Sequence, residues 1–292
     1  MTYKARFFLF FARLVQKSGV RGVYRLADFL GALMWRVLAK RRETTIHCIG
    51  ERLELPPDQA RTIARASFNH TARSFLDILI AGKLGSKEIP FSSDSWKEVM
   101  ERVEKTERPM VVITGHFGPW EMGGGLIGKT PGKRVFSVVR KYKDPAIQSF
   151  IRELRLENGL ETVDHRDATG IIISTLRDGG VACFLADHNS SRKESIFIPF
   201  LGKEAAVNMG PALLAVRTRA LVQPNFIRRE KDGSVVVLFD EPLDTAQLSG
   251  SVNERVRQVA EFYTQAIERQ VRACPEQWFW MHNRWKTRPK GE

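Results

Sequence analysis

Between residues 110 and 239, short apolar runs alternate with segments of helical length, and this limits the chain to very few architectures. Residues 110–114, 135–139, 160–163, 181–186, 221–227 and 235–239 read as strands. Residues 145–157, 168–177 and 210–218 read as helices, and 195–200 as an extended piece. Runs this apolar, with little polar alternation, belong to strands covered on both faces. The alternation predicts an α/β fold: a mixed, largely parallel sheet flanked by helices. Upstream, Pro56-Pro57-Asp58 opens a helix to about Ala81, and a short one covers about Ser95 to Lys105. A long helix, about Val252 to Arg272, and an aromatic tail finish the chain.

The run 110–114 ends at Gly115 and delivers His116 onto a loop, before Pro119 and Glu121 at the start of a helix. A carboxylate in a first helical turn is favoured by the helix dipole, and strand-to-helix junctions are where α/β proteins usually work. A near-neutral histidine can take a proton from a hydroxyl if a carboxylate on its other ring nitrogen fixes the tautomer. The spacing offers Glu121 for that task. A lone His and Glu can equally be a loop histidine and a helix-start charge.

The first forty residues are rich in Phe, Leu, Val and Arg, with Arg13, Lys17, Arg21 and Arg25 recurring every four. Phe10, Phe11, Leu14, Val15, Val23, Tyr24 and Leu26 stand between them. A basic stripe on an aromatic and aliphatic remainder is the pattern of a helix lying in a membrane interface, broken in two near Gly19 and Gly22. The same stripe also describes a helix packed on its own core. These residues do not read as a signal peptide or a membrane span, because arginines cut the apolar runs short. The expected organisation is an N-terminal membrane-associated amphipathic helical segment, 1–45, and an α/β domain, 46–292.

A net charge of +13 over 292 residues demands an acidic partner. No Walker loop, G-x-S-x-G elbow or nucleic-acid-binding motif is present, so nucleotide hydrolysis, serine hydrolysis and nucleic-acid binding are poor readings. Three scattered cysteines suggest neither a disulfide framework nor zinc. The Asp164-His165 and Asp187-His188 dipeptides are weak metal candidates, since the six histidines have no ligand spacing.

Five segments in order carry a resemblance. His116-Phe-Gly-Pro-Trp-Glu121 resembles the H-x4-D/E motif of the lysophospholipid acyltransferase superfamily. Arg152-Glu-Leu-Arg155, Gly179 to Asp187-His188, and Ile198 to Gly210 follow. The tail Pro275-Glu-Gln-Trp-Phe-Trp-Met-His282-Asn-Arg284-Trp-Lys286 is the most distinctive. Over residues 20 to 290 the chain resembles the late-stage lipid A acyltransferases of Gram-negative bacteria. Asn208 stands where a threonine is common, and 44–48 lacks an asparagine often found there.

The resemblance implies a glycerol-3-phosphate acyltransferase-like fold at the cytoplasmic face of the inner membrane. It implies acyl transfer from acyl carrier protein to a hydroxyl of a phosphorylated lipid A precursor, without metal or cofactor. His116 is then the general base and Glu121 its orienting partner. Arg155 serves the oxyanion or an acceptor phosphate, with Asp187 holding it in place; Phe117 and Trp120 either wall an acyl channel or belong to the core. Arg140-Lys141, Arg192-Lys193, Arg228-Arg229 and the tail from Arg284 to Lys290 are candidate contacts for carrier or phosphate. Other readings are the same chemistry on a glycolipid, aminolipid or lysophospholipid, with acyl-CoA as donor, or a silent carrier-binding homologue. Intact His116 and Glu121 speak against the last.

Overall fold

The computed structural model describes residues 3–164 and 168–291; His165 lies outside them. Five helices precede the sheet: α1 (Tyr3–Lys17), α2 (Gly19–Val37), α3 (Ala39–Leu53), α4 (Pro57–Leu76) and α5 (Ser95–Lys105). Then come β1 (Met110–Thr114), α6 (Trp120–Gly128), β2 (Val135–Val139), α7 (Pro145–Glu157) and β3 (Glu161–Asp164). These are followed by α8 (Ala168–Arg177), β4 (Val181–Leu185), β5 (Ser195–Phe200), β6 (Lys203–Asn208) and α9 (Gly210–Thr218). The chain closes with β7 (Leu221–Arg229), β8 (Val235–Phe239), β9 (Leu243–Asp244) and α10 (Val252–Ala273).

The main sheet runs β3-β2-β4-β1-β7-β8, with β9 also paired to β7. Strands β1 to β4 and β7 are parallel; β8 and β9 run antiparallel to β7. β5 and β6 form a separate antiparallel hairpin. The expected mixed, mainly parallel sheet between helices is therefore present. β1 is central, and Met110, Val111, Val112 and Ile113 are all buried. Each such side chain contributes about 1.5–3 kcal/mol of apolar burial, which is why so short a run can anchor the sheet.

The helical break near Gly19 is also seen. Gly19 has φ +70, so the chain turns there, leaving Arg13 and Lys17 on α1 and Arg21 and Arg25 on α2. Small residues of α2 (Val20, Val23, Ala27, Gly31) face inward. A Cβ on Gly31 would come 2.8 Å from the Asn69 Cα, so α2 and α4 lie almost backbone to backbone. Large apolar side chains point the other way: Phe7 is 66% exposed, Phe10 69% and Phe29 63%. Among the described residues no helix is long and apolar enough to cross a membrane.

One ion pair and one hydrogen bond fasten α2 to the body. Arg73 grips Asp28 with two bonds of 2.7 Å. Deeper, Arg229 of β7 donates to fully buried Asp77 at 2.6 Å, and the Tyr24 hydroxyl donates to the other carboxylate oxygen at 3.2 Å.

Candidate active site

Parallel register builds the site. Thr114 of β1 lies opposite Leu185 of β4, so two residues further on His116 stands opposite Asp187 at the carboxyl edge of the sheet. His116 Nδ1 is 2.8 Å from Asp187 Oδ1, and the His116 backbone N–H donates to Asp187 Oδ2 at 2.7 Å. Burial alone would raise the Asp187 carboxyl. The charge and hydrogen bond of His116, with His188 and His282 nearby, outweigh it and hold the group well below the usual carboxylate range. An ionised carboxylate only accepts, so Nδ1 carries a proton, and in the neutral ring the lone pair lies on Nε2. The His116 side chain remains 11% exposed, enough to be reached. Trp120, His188 and Phe279 surround the ring, with His188 nearest at 4.1 Å between centroids.

Glu121 does not orient His116. It is the second residue of α6, and its carboxylate is taken by Arg155 of α7 in a two-pronged pair of 3.0 and 2.6 Å. A fork of this kind fixes both side chains. Asp187, expected to hold Arg155, is engaged by His116 and Trp278 instead. The partners are therefore exchanged: His116 with Asp187, Glu121 with Arg155. Arg140 belongs to neither pair and lies exposed just past β2.

The loop between His116 and α6 depends on Gly118. It has φ +56, and a Cβ there would fall 2.0 Å from the Ile227 carbonyl oxygen. Pro119 occupies the position just before the helix. Of the two expected channel aromatics, Trp120 lines a cleft whereas Phe117 is buried in the core, edge-on to Phe226. Two expected surface cations are also buried, Arg229 on Asp77 and Arg284 on the carbonyls of His188 and Ala206. Charges bound in this way are not free to meet a partner.

The cleft lies between α6 and the sheet and opens to solvent. Glu121, Arg155 and Trp120 line one part, and two rows of side chains cross the sheet below. Thr114, Leu185 and Val139 stand nearer the carboxyl edge; Val112, Cys183 and Ser137 lie one side-chain layer deeper. Its surface is predominantly apolar.

His116, Asp187 and His188 present three ligand-type atoms within 4.8 Å of one another. The closest contact among them is the His116–Asp187 hydrogen bond. Residues that sequence reasoning did not assign to the site are His188 and Trp278. Each stood inside a quoted motif, yet nothing in its spacing showed that it touches the histidine pair.

Comparison with known proteins agrees with this architecture. Residues 2–287 match the family described as bacterial lipid A biosynthesis acyltransferase. The chain is 28% identical to the lipid A biosynthesis lauroyltransferase of Escherichia coli K12, over 92% of this chain and 87% of that one. It is 26% identical to the palmitoleoyltransferase of the same organism, over 66% of this chain and 61% of that one. A phosphatidylinositol mannoside acyltransferase of Mycolicibacterium smegmatis is 24% identical over 79% of this chain and 74% of its own length. A sheet edge carrying a histidine–carboxylate pair above an apolar cleft, in a chain matched almost end to end, leads to one conclusion: this protein is an acyltransferase of the bacterial lipid A biosynthesis acyltransferase family.

Proposed function

We propose that the protein transfers a fatty acyl group from acyl carrier protein to a hydroxyl of a phosphorylated lipid A precursor, at the cytoplasmic face of the inner membrane. The observation that carries the mechanism is the 2.8 Å contact between His116 Nδ1 and Asp187 Oδ1. His116 Nε2 accepts the proton of the acceptor hydroxyl as its oxygen attacks the thioester carbonyl. Asp187 keeps the correct tautomer and stabilises the imidazolium. Collapse of the tetrahedral intermediate expels the carrier thiolate, which takes the proton back from His116. Arg155, held by Glu121, uses two donors on that carboxylate and offers the rest to an oxyanion or an acceptor phosphate.

Support for membrane attachment comes from the inverted helices, which present small residues to the body and Phe7, Phe10, Phe29 and Leu33 outward. With a net charge of +13, this suits an anionic lipid surface and an acidic carrier. The phosphatidylinositol mannoside acyltransferase among the relatives favours, as a second reading, the same transfer onto another glycolipid.

Incubating the purified protein with radiolabelled acyl-carrier thioester and a phosphorylated diglucosamine lipid is expected to yield acylated lipid. Transfer to mannosylated phosphatidylinositol alone would replace the acceptor. Transfer to neither would remove the reading.

The cleft sets chain length in this scheme. Its two side-chain rows are about 6.6 Å apart, roughly five methylenes. Cys183→Phe fills the deeper row and is expected to shift donor preference to chains shorter by about two to five carbons, read from competition between acyl-carrier thioesters. An unchanged preference places the acyl chain elsewhere.

A further inference from the structure

The segment after α10 is a sequence motif that the acyl-transfer chemistry leaves without a task, and it is packed against both members of the histidine pair. Phe117 and Trp278 form an antiparallel bridge. Gly118 N–H donates to the Gln277 carbonyl at 2.9 Å, and Phe279 N–H to the His116 carbonyl at 3.0 Å. The His116 main chain is thus held through its N–H by Asp187 and through its carbonyl by Phe279. Trp278 lies between these anchors, 1% exposed, and its indole N–H donates to Asp187 Oδ2 at 2.9 Å. That oxygen also accepts the His116 N–H. Packing fixes the indole: Trp280, His282 and Phe200 stand at 4.7, 4.9 and 5.4 Å, and Ser67 Oγ donates to the Trp278 carbonyl.

An N–H given to one carboxylate oxygen does two things. It fixes the carboxylate plane, and it draws negative charge away from the other oxygen. Here the other oxygen faces the imidazole. Resting on the reading of His116 and Asp187 as the base pair, we propose that Trp278 is a positioning residue of the acyl-transfer centre. Its indole N–H aligns the Asp187 carboxylate with His116 and moderates the charge the imidazole feels. The remaining ionisable neighbours of the pair are His188, whose ring is tilted against His116 at 4.1 Å between centroids, and His282, whose Nε2 lies 3.1 Å from the Asp187 carbonyl oxygen. Arg284 donates to the His188 carbonyl. All three are retained when Trp278 alone is altered, so the comparison isolates one hydrogen bond.

The sign follows directly. Without the indole N–H, Asp187 holds the imidazolium more strongly, and His116 keeps its proton to higher pH. The acid limb of the pH–rate profile therefore moves up. The test compares the intact protein with Trp278→Phe and with benzothienylalanine incorporated at position 278, which keeps the bicyclic shape and replaces N–H by sulfur. Both are expected to lower kcat about tenfold and leave the KM for acyl-carrier thioester within about twofold. Both are also expected to raise the acid-limb midpoint by roughly 0.5–1 pH unit. If Trp278→Phe does not fold, the isostere decides alone. An acid limb that stays in place in the isostere overturns the proposal, whatever happens to the rate. Activity retained by His116→Ala in the same assay overturns the base-pair reading itself, an outcome distinct from an unmoved limb.

Discussion

Replacing Asp187 with Asn is expected to lower kcat about as far as His116→Ala does, roughly 10²–10⁴-fold. The amide is nearly the size of the carboxylate and packs in the same place. It cannot stabilise an imidazolium, however, and it can donate its own N–H to Nδ1, which pushes the ring into the tautomer that lacks a base at Nε2. Groups acting as one unit do not add, so the double variant should be no slower than either single one. Glu121→Gln should behave differently. It breaks the fork on Arg155 and leaves His116 and Asp187 joined, so its main effect should be a raised KM for the phosphorylated acceptor. Steady-state kinetics of the four variants, with circular dichroism to confirm folding, check this. If Glu121→Gln loses the proton-transfer step while Asp187→Asn turns over normally, the motif glutamate is the orienting carboxylate after all.

Asp77→Ala is expected to cost about 3–5 kcal/mol of stability. Asp77 is fully buried and accepts from Arg229 and Tyr24, so its loss strands a guanidinium in the interior. Two further Arg229 nitrogens, Nε and Nη1, are buried without a hydrogen-bond partner, so apart from the Tyr24 ring at 5.3 Å the cation depends on Asp77. Adding Arg229→Met should recover most of the loss, because an apolar chain of similar length needs no counter-charge. Urea unfolding at neutral pH reads both numbers. A single variant within about 1 kcal/mol of the intact protein would mean that water reaches the arginine. The pair ties the turn after α4 to β7, and Tyr24 of α2 bonds the same carboxylate, so the expected damage includes loosening of the N-terminal helices.

Much of this fold was legible in the sequence, for a local reason. β1, β2 and β8 begin and end where their apolar runs do; for β1 the reason is that a strand covered on both faces needs continuous apolar character. α7 spans the expected 145–157, and its start is fixed by the Asp144 side-chain cap and by Pro145 in the first position. α3 and β6 escaped notice. α3 buries only Thr45 and Ile49, too few to print a helical period on a segment full of charge. β6 is Lys-Glu-Ala-Ala-Val-Asn, which pairs with β5 as the second arm of the hairpin without a run of large apolar side chains.

The site divides along the same line. Sequence alone determined that His116 leaves a buried strand onto a loop, that Glu121 opens a helix, and that Arg155 and Asp187 lie in motifs of chemical interest. It could not determine who pairs with whom. Glu121 is five residues from His116 yet bonds Arg155, while Asp187 reaches His116 across 71 residues. The reason is geometric: a residue in the first turn of α6 is carried toward α7, whereas β1 and β4 lie side by side and their register sets the two residues at their ends face to face. Sequence separation measures distance along the chain; the parallel sheet decides distance in space.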